Sequence, residues 1–387
     1  MPEAVIVDAI RTPVGRAFKG SLAGLRPDET GAHVVDQLLE RNPGVEPEEI
    51  EDLLCGCGLP QGLQAFNIGR IIVLLSEKLP QSVNGVTISR YCASSLEAIR
   101  QAANSVVAGQ GDAYIAAGVE WVSRYNERQE AAGEADQNER LQGKDGQPNA
   151  YISMGLTAEN VAERYEVSRA DMDKYAQRSQ ELAVASQESG FYDREIVPVK
   201  LPDGGEVAKD DGPRPTSTLE KLSQLEPSFK EGGKVTAGNS CPLNDGAAAT
   251  LIMSDERAEE LGLQPRARIV TAATFGNEPE YMGVAPLGAI KRVLDRAGMK
   301  INDVDVVELN EAFAAQVIPI MDECDIPLDK LNTHGGAIAL GHPFGMTGAR
   351  IMATLLNAME SDDHQVGLET MCVAGGQGEA MVVERLS

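Results

Sequence analysis

Basic residues are scarce in this chain: 34 Lys and Arg stand against 59 Asp and Glu among 387 residues, a net charge of −25. That balance repels polyphosphates and excludes nucleic acid as a partner. Long apolar runs are missing too. None approaches the roughly 20 residues of a membrane-spanning helix, so no membrane association is expected. Six cysteines in so long a chain are too few for a disulfide framework, and a reducing compartment, the cytoplasm, is expected. The opening Met1 to Asp8 carries an acid where a secretory signal has its basic region, and it reads as a first strand. No stretch matches a phosphate-binding glycine loop. Cys55 and Cys57 form a C-x-C pair without two further ligands, so no metal is expected. The acid excess leaves two readings, an ordinary acidic enzyme or a surface adapted to high salt; the second is the expectation, since salt screens self-repulsion.

What is present is a large apolar content, 42%, patterned as strands alternating with helices. Ala4–Ala9, Asp52–Cys57, Val83–Ile88 and Ala113–Gly118 read as strands. Ile68–Leu75 reads as a helix, and so does a segment capped by Asp28 with Ala32, Val35, Leu38 and Leu39 on one face. A further helix face is formed by Leu96, Ile99, Ala103, Val106 and Val107, with Gly109 as its stop. This order predicts an α/β fold with a largely parallel sheet. From Trp121 to Asp245 the texture is polar, with helices over Leu156–Tyr165 and Ala170–Ser189, and it reads as an insertion covering a site. After Gly262 the opening order returns: strands at Ala267–Ala272, Asp305–Leu309, Val366–Val373 and Glu379–Glu384, and helices at Leu287–Ala297, Ala312–Met321 and Gly345–Met359. Matching elements are offset by roughly 250 to 265 residues, which predicts an internal duplication.

Reactive groups concentrate at element ends. Cys92 falls in a strand-to-helix corner, where free N–H groups and the helix dipole favour a thiolate. Asn310 and Glu311 lie where a strand becomes a helix. His342 closes a glycine-rich run and is followed by Pro343, which fixes the chain direction, and Cys372 precedes the turn at Gly375-Gly376. Singly, each has a bland reading as a cap or a core residue. Together they supply a nucleophilic thiol, a His base, an amide donor and a second acid/base thiol, a set suited to acyl transfer through a thioester.

The combination of Cys92-x-Ser94-Ser95, Asn310-Glu311-Ala312-Phe313, Gly335-Gly336-Ala337-Ile338-Ala339-x-Gly341-His342-Pro343 and Cys372-x-x-Gly375-Gly376 resembles the thiolases over essentially the whole chain. Val235 to Ala249 resembles the same family. The resemblance implies a thiolase-like duplicated α/β fold, two similar halves packed in layers plus an inserted loop domain. The implied division is 1–120 with 246–265, 121–245, and 266–387. It implies Cys92 as nucleophile, His342 as its base and Cys372 as the second acid/base. Asn310 would hold a water for one oxyanion hole, the backbone N–H groups of Cys92 and Ala374 would form the other, and Glu311 would organise the network. Coenzyme A would be substrate with no permanent cofactor, Arg214 facing its nucleotide end. Met154, Leu225, Phe229, Ala237, Cys241 and Phe313 would line the pantetheine tunnel. A homodimer or homotetramer is implied.

Four positions depart from the family pattern. Ser153 stands where short-chain biosynthetic members tend to carry His, which tilts the expectation toward degradation of 3-ketoacyl-CoA. Cys241 replaces a serine in the pantetheine site. Ala374 replaces the usual glycine and serves unless the position needs a positive φ. His334, also unusual for the family, is expected at the surface, His33 and His364 solvated, and Cys324 on a helix face. The alternatives are a short-chain acetoacetyl-CoA thiolase, a ketoacyl synthase, which has a second His where this chain has Asn310, and a catalytically silent CoA or lipid carrier.

Overall fold

The computed structural model describes residues 2–124 and 137–387. Its centre is a ten-stranded sheet. The principal strands are β1 (Ala4–Arg11), β2 (Ile50–Cys57), β3 (Asn84–Ile88), β4 (Ala113–Trp121), β5 (Asn244–Ser254), β6 (Ala267–Gly276), β7 (Val306–Leu309), β8 (Val366–Val373) and β9 (Gln377–Arg385). Their order is β7-β8-β9-β6-β1-β5-β4-β2-β3, with a short strand at Gly15–Arg16 beside β5. The order reads the same way outward from the β6–β1 junction. On each side come antiparallel strands and then parallel pairing, β7 with β8 and β2 with both β4 and β3; antiparallel pairs predominate, because β5 and β9 run against their neighbours on both sides, which corrects the expectation of a largely parallel sheet. The duplication is therefore real, and its halves meet where Val5 pairs with Arg268 and Ile6 with Ala267.

Side chains alternate across a strand, so each strand contributes to two cores. Ala4 and Ile6 of β1, Tyr114 and Ala116 of β4, and Met381 and Val383 of β9 share one cluster with the helices α3 (Ser94–Val107) and α8 (Thr347–Ser361). The opposite faces of the first half pack on α1 (Pro27–Arg41) and α2 (Ile68–Leu75). Those of the second half pack on α6 (Pro286–Ala297) and α7 (Ala314–Glu323). The result is alternating layers of helix and sheet with α3 and α8 innermost. All but the last two residues of α8 are buried, its polar Arg350, Thr354 and Asn357 included.

The insertion carries α4 (Met154–Arg164) and α5 (Arg169–Ser189) outside the sheet. Two local expectations are corrected. Arg26 rather than Asp28 is the N-cap of α1, because Pro27 occupies the first helical position and Asp28 instead pairs with Arg26. Val107 is exposed, since α3 ends there and Ala102 fills the inner face. Gly109 adopts φ +68 just past the cap, as a helix stop should.

Candidate active site

Strand β3 leads through a single 3-10 turn, Tyr91–Ala93, into α3, and Cys92 sits in that turn, 8% exposed. Tyr91 has φ +44, a left-handed conformation that costs a non-glycine residue about 1–2 kcal/mol. The strained corner is tied by Ser94, whose hydroxyl donates to the Tyr91 carbonyl at 2.6 Å and accepts the Arg90 N–H at 2.9 Å. Gly56 lets the start of α3 lie on β2: a Cβ there would stand 2.3 Å from the Ser95 nitrogen.

The expected thiolate is not the resting state. Burial pushes the Cys92 thiol up to about 12, with the buried Glu120 carboxylate adding to the rise and the N–H groups of Ala374 and Cys92 opposing it. Desolvation at this corner outweighs the helix N-terminus. The Ala374 N–H is nonetheless directed at the Cys92 sulfur, and Ala374 is not among the residues with positive φ, so alanine fits where glycine is usual. Gln377 holds this turn, donating to the Ala374 carbonyl at 3.2 Å and accepting from Arg90 at 3.1 Å.

His342 is buried just before α8. Its backbone N–H donates to Asn244 Oδ1 at 3.0 Å, and its Nδ1 meets Thr347 Oγ1 at 2.6 Å. The Thr347 hydroxyl spends its one proton on the Pro343 carbonyl at 2.8 Å, so it accepts from Nδ1–H and leaves Nε2 as the basic nitrogen. The Asn310 amide approaches Nε2 at 3.4 Å, while Asn310 Oδ1 is buried without a protein partner. Desolvation, aided by Arg350, lowers His342 to about 3. The resting pair is thus neutral thiol and neutral imidazole.

Cys372 is fully buried at the end of β8, and burial raises its pKa, with additional repulsion from the Cys92 and Cys241 sulfurs. Glu311 is satisfied on every side. It accepts from Tyr175 at 2.8 Å, Asn332 at 2.9 Å, Ser179 at 2.6 Å and the Ile338 N–H at 3.1 Å. It thereby joins α5 to the short helix Ala337–Leu340 that delivers His342.

Cys92 and His342 open on one cleft of about 730 Å³, in the range of small-molecule sites. Arg214, Met154, Leu225, Phe229, Ala237, Cys241 and Phe313 all line it, so the insertion forms one of its walls. Leu225 and Phe229 are 40% and 42% exposed, which sets aside a role as core. Phe229 packs edge-on to Phe313 and lies over Gly155, where a Cβ would stand 2.1 Å from the ring. Ser153 also lines the cleft.

Other expectations resolve outside it. His334 stacks on Phe191 at 3.6 Å and contacts Ser186, half-buried and away from the cleft. His33 and His364 are half-buried rather than solvated, His33 because it binds the Pro198 carbonyl. Cys324 caps α7, and Cys57 accepts an N–H from Gln64. Sequence reading missed Thr347, Asn244 and Glu120 as supports of the site. Glu120 accepts from Gly58, Gly345 and Gln64, tying the segment after β2 and the loop that follows His342 to β4. Asn244 lay inside a quoted motif; Thr347 and Glu120 carried no local signal.

Residues 4–256 match the thiolase N-terminal domain and residues 263–385 the thiolase C-terminal domain. The "Beta-ketoadipyl-CoA thiolase" of Escherichia coli is 44% identical over the full length of both chains. The "3-ketoacyl-CoA thiolase" of Bacillus subtilis (strain 168) is 42% identical over 99% of this chain and 100% of its own. The dimeric peroxisomal thiolase of Saccharomyces cerevisiae superposes with a TM-score of 0.93 at 37% identity, covering 99% of this chain and 97% of its own. The acetyl-CoA acetyltransferase of Bacillus anthracis gives 0.91 at 37%, covering 100% and 99%.

Proposed function

The chain belongs to the thiolase family, and on that premise we propose that it cleaves 3-ketoacyl-CoA with coenzyme A, through an acyl group carried on Cys92. The observation that carries the reading is the opening of Cys92 and His342 on one cleft, with the Ala374 N–H aimed at the Cys92 sulfur. In the first half-reaction Cys92 passes its proton to His342 Nε2, and the sulfur attacks the 3-keto carbon. The oxygen that becomes negative is held by the N–H groups of Cys92 and Ala374, each such donor being worth about 3 kcal/mol. The C2–C3 bond breaks. The departing acetyl-CoA enolate is stabilised by His342 Nε2–H and a water held by Asn310, and it takes the Cys372 proton. In the second half-reaction the Cys372 thiolate takes the proton of coenzyme A, whose sulfur attacks the acyl group. Cys92 leaves and recovers its proton from His342. The same residues run backward as a Claisen condensation of acetyl-CoA.

Ser153 in the cleft supports the degradative direction, in keeping with β-oxidation-type chemistry, over a dedicated acetoacetyl-CoA synthase. We place the protein in the cytoplasm, supported by six free thiols, two of which the mechanism needs reduced. The domain division of 1–120 with 246–265, 121–245 and 266–387 is likewise ours, supported by the placement of α4 and α5 outside the sheet. Two copies pairing along β3, at the edge of the sheet, is supported by the exposed Val86, Leu74 and Leu75; sedimentation of a Val86→Arg variant as a monomer is the expected result. The mechanism is tested by intact mass after mixing with acetoacetyl-CoA. A gain of one acetyl group on the native chain and none on Cys92→Ser is expected, and an unimpaired Cys92→Ser enzyme would sink it.

A further inference from the structure

The two N–H groups directed at the Cys92 sulfur belong to different halves of the chain. That of Cys92 comes from the corner before α3 and that of Ala374 from the turn between β8 and β9, while β3 and β8 lie near opposite ends of the strand order. Backbone pairing therefore leaves their spacing unset, and side chains must set it. Arg90 spans the gap. Its main chain closes the corner, the carbonyl accepting the Ala93 N–H at 3.0 Å and the N–H reaching Ser94 Oγ at 2.9 Å. Its guanidinium crosses to the second half, where Nη1 donates to Gln377 Oε1 at 3.1 Å, and Gln377 Nε2 donates in turn to the Ala374 carbonyl at 3.2 Å.

A buried carboxylate keeps the guanidinium there. Glu379 lies on β9, opposite Met371 of β8 and Thr274 of β6, and is fully buried. Its ion partners are Arg90 at 3.4 Å and Arg100 at 3.5 Å, both from the first half. Burial and then Glu97 push the Glu379 carboxyl up, and the two arginines oppose that rise. Glu97 of α3 also pairs with both arginines, at 3.3 Å and 2.6 Å. A carboxylate in the middle of a sheet cannot turn to water, so separating it from its arginines costs more than breaking an exposed ion pair. The second half is thereby drawn onto the first at the level of the Cys92 corner.

We propose that Arg90 is a positioning residue for thioester formation, a strut between the halves that holds the Ala374 N–H in register with the Cys92 N–H across the developing oxyanion. The proposal rests on the thiolase reading of the cleft. Two donors from separate segments stabilise one oxygen only while both stay at hydrogen-bond distance from it, and a misplacement of about 1 Å is worth on the order of 100-fold in rate.

The nitrogens of Arg90 allow the strut to be separated from the ion pairs. Arg90→Lys keeps a cation beside Glu97 and Glu379 but has no second nitrogen for Gln377, and Gln377→Leu removes the same link without touching a charge. Each variant of the full chain is compared with the native chain in two reactions of Cys92: acetylation by acetyl-CoA, read by rapid-quench intact mass, and alkylation by iodoacetamide, read by peptide mass. Alkylation builds no oxyanion. The expected result is acetylation slowed on the order of 30-fold in each single variant and no further in the double variant. Alkylation should change by no more than about three-fold, and in steady-state thiolysis the loss should fall on kcat rather than KM. Hydrogen–deuterium exchange of residues 373–377, which needs no turnover, should be faster in both variants. Acetylation at the native rate overturns the strut. So does alkylation that falls in step with acetylation, an additive loss in the double variant, or unchanged exchange. A native chain whose Cys92 takes no acetyl group overturns the thiolase reading, and faster exchange in the variants then still upholds the strut.

Discussion

Thr347 orders the tautomer of His342. Its hydroxyl donates to the Pro343 carbonyl at 2.8 Å and therefore accepts from His342 Nδ1 at 2.6 Å, which leaves Nε2 facing Asn310 and the cleft. Since only that tautomer can take the Cys92 proton through Nε2, the reaction depends on a residue that never meets substrate. Thr347→Val keeps the shape and removes the acceptor. It should lower kcat on the order of 100-fold with KM nearly unchanged, measured by steady-state thiolysis. An undiminished kcat would show that the imidazole needs no such support.

The neutral resting pair predicts the pH response. Burial lowers His342 to about 3 and raises Cys92 to about 12. The acid limb of kcat/KM should therefore lie well below the ordinary histidine value, and alkylation of Cys92 by iodoacetamide should keep accelerating above pH 9. Stability follows the same shifts. His342 binds a proton more readily unfolded than folded, so its contribution is full above the ordinary histidine pKa and is lost as pH falls toward 3. Cys92 behaves oppositely, its contribution being full below 9 and lost as pH rises toward 12. Urea midpoints across pH would trace both limbs.

Cys372 is a neutral acid in the resting site, raised by burial beside two other sulfurs. Replacing it with Ala should leave acylation of Cys92 from acetyl-CoA largely intact while slowing condensation and the exchange of the acetyl α-protons by on the order of 100-fold or more. Acetyl-enzyme seen by intact mass without deuterium exchange into acetyl-CoA is the expected pair of readings.

Gly56 is a packing requirement rather than a hinge. A methyl group there would press 2.3 Å from the Ser95 nitrogen at the start of α3. Gly56→Ala should cost roughly 1–3 kcal/mol in urea denaturation and displace Cys92 enough to reduce kcat.

Much of this was legible from the chain alone. Ile68–Leu75 and Val366–Val373 end where their periodicity ends, and the corner holding Cys92 follows from a β-branched run giving way to small residues. The protonation of Cys92 was not legible, because it is decided by burial, to which the Glu120 carboxylate adds, and both are products of tertiary packing. Thr347, Glu120 and Arg90 escaped for a related reason. A threonine at a helix start, a glutamate in a strand and an arginine past a strand end look ordinary until tertiary packing supplies a partner.

The innermost helices carry one further consequence. A single half of this fold would leave α3 covered by one sheet and bare on its other side. A symmetric pair of such halves would cover it, but only with identical groups at two equivalent helix starts. One chain carrying both halves is free of that equality. The approach to one inner helix carries a thiol and the approach to the other an imidazole, a division of labour that a pair of identical subunits has no means to encode.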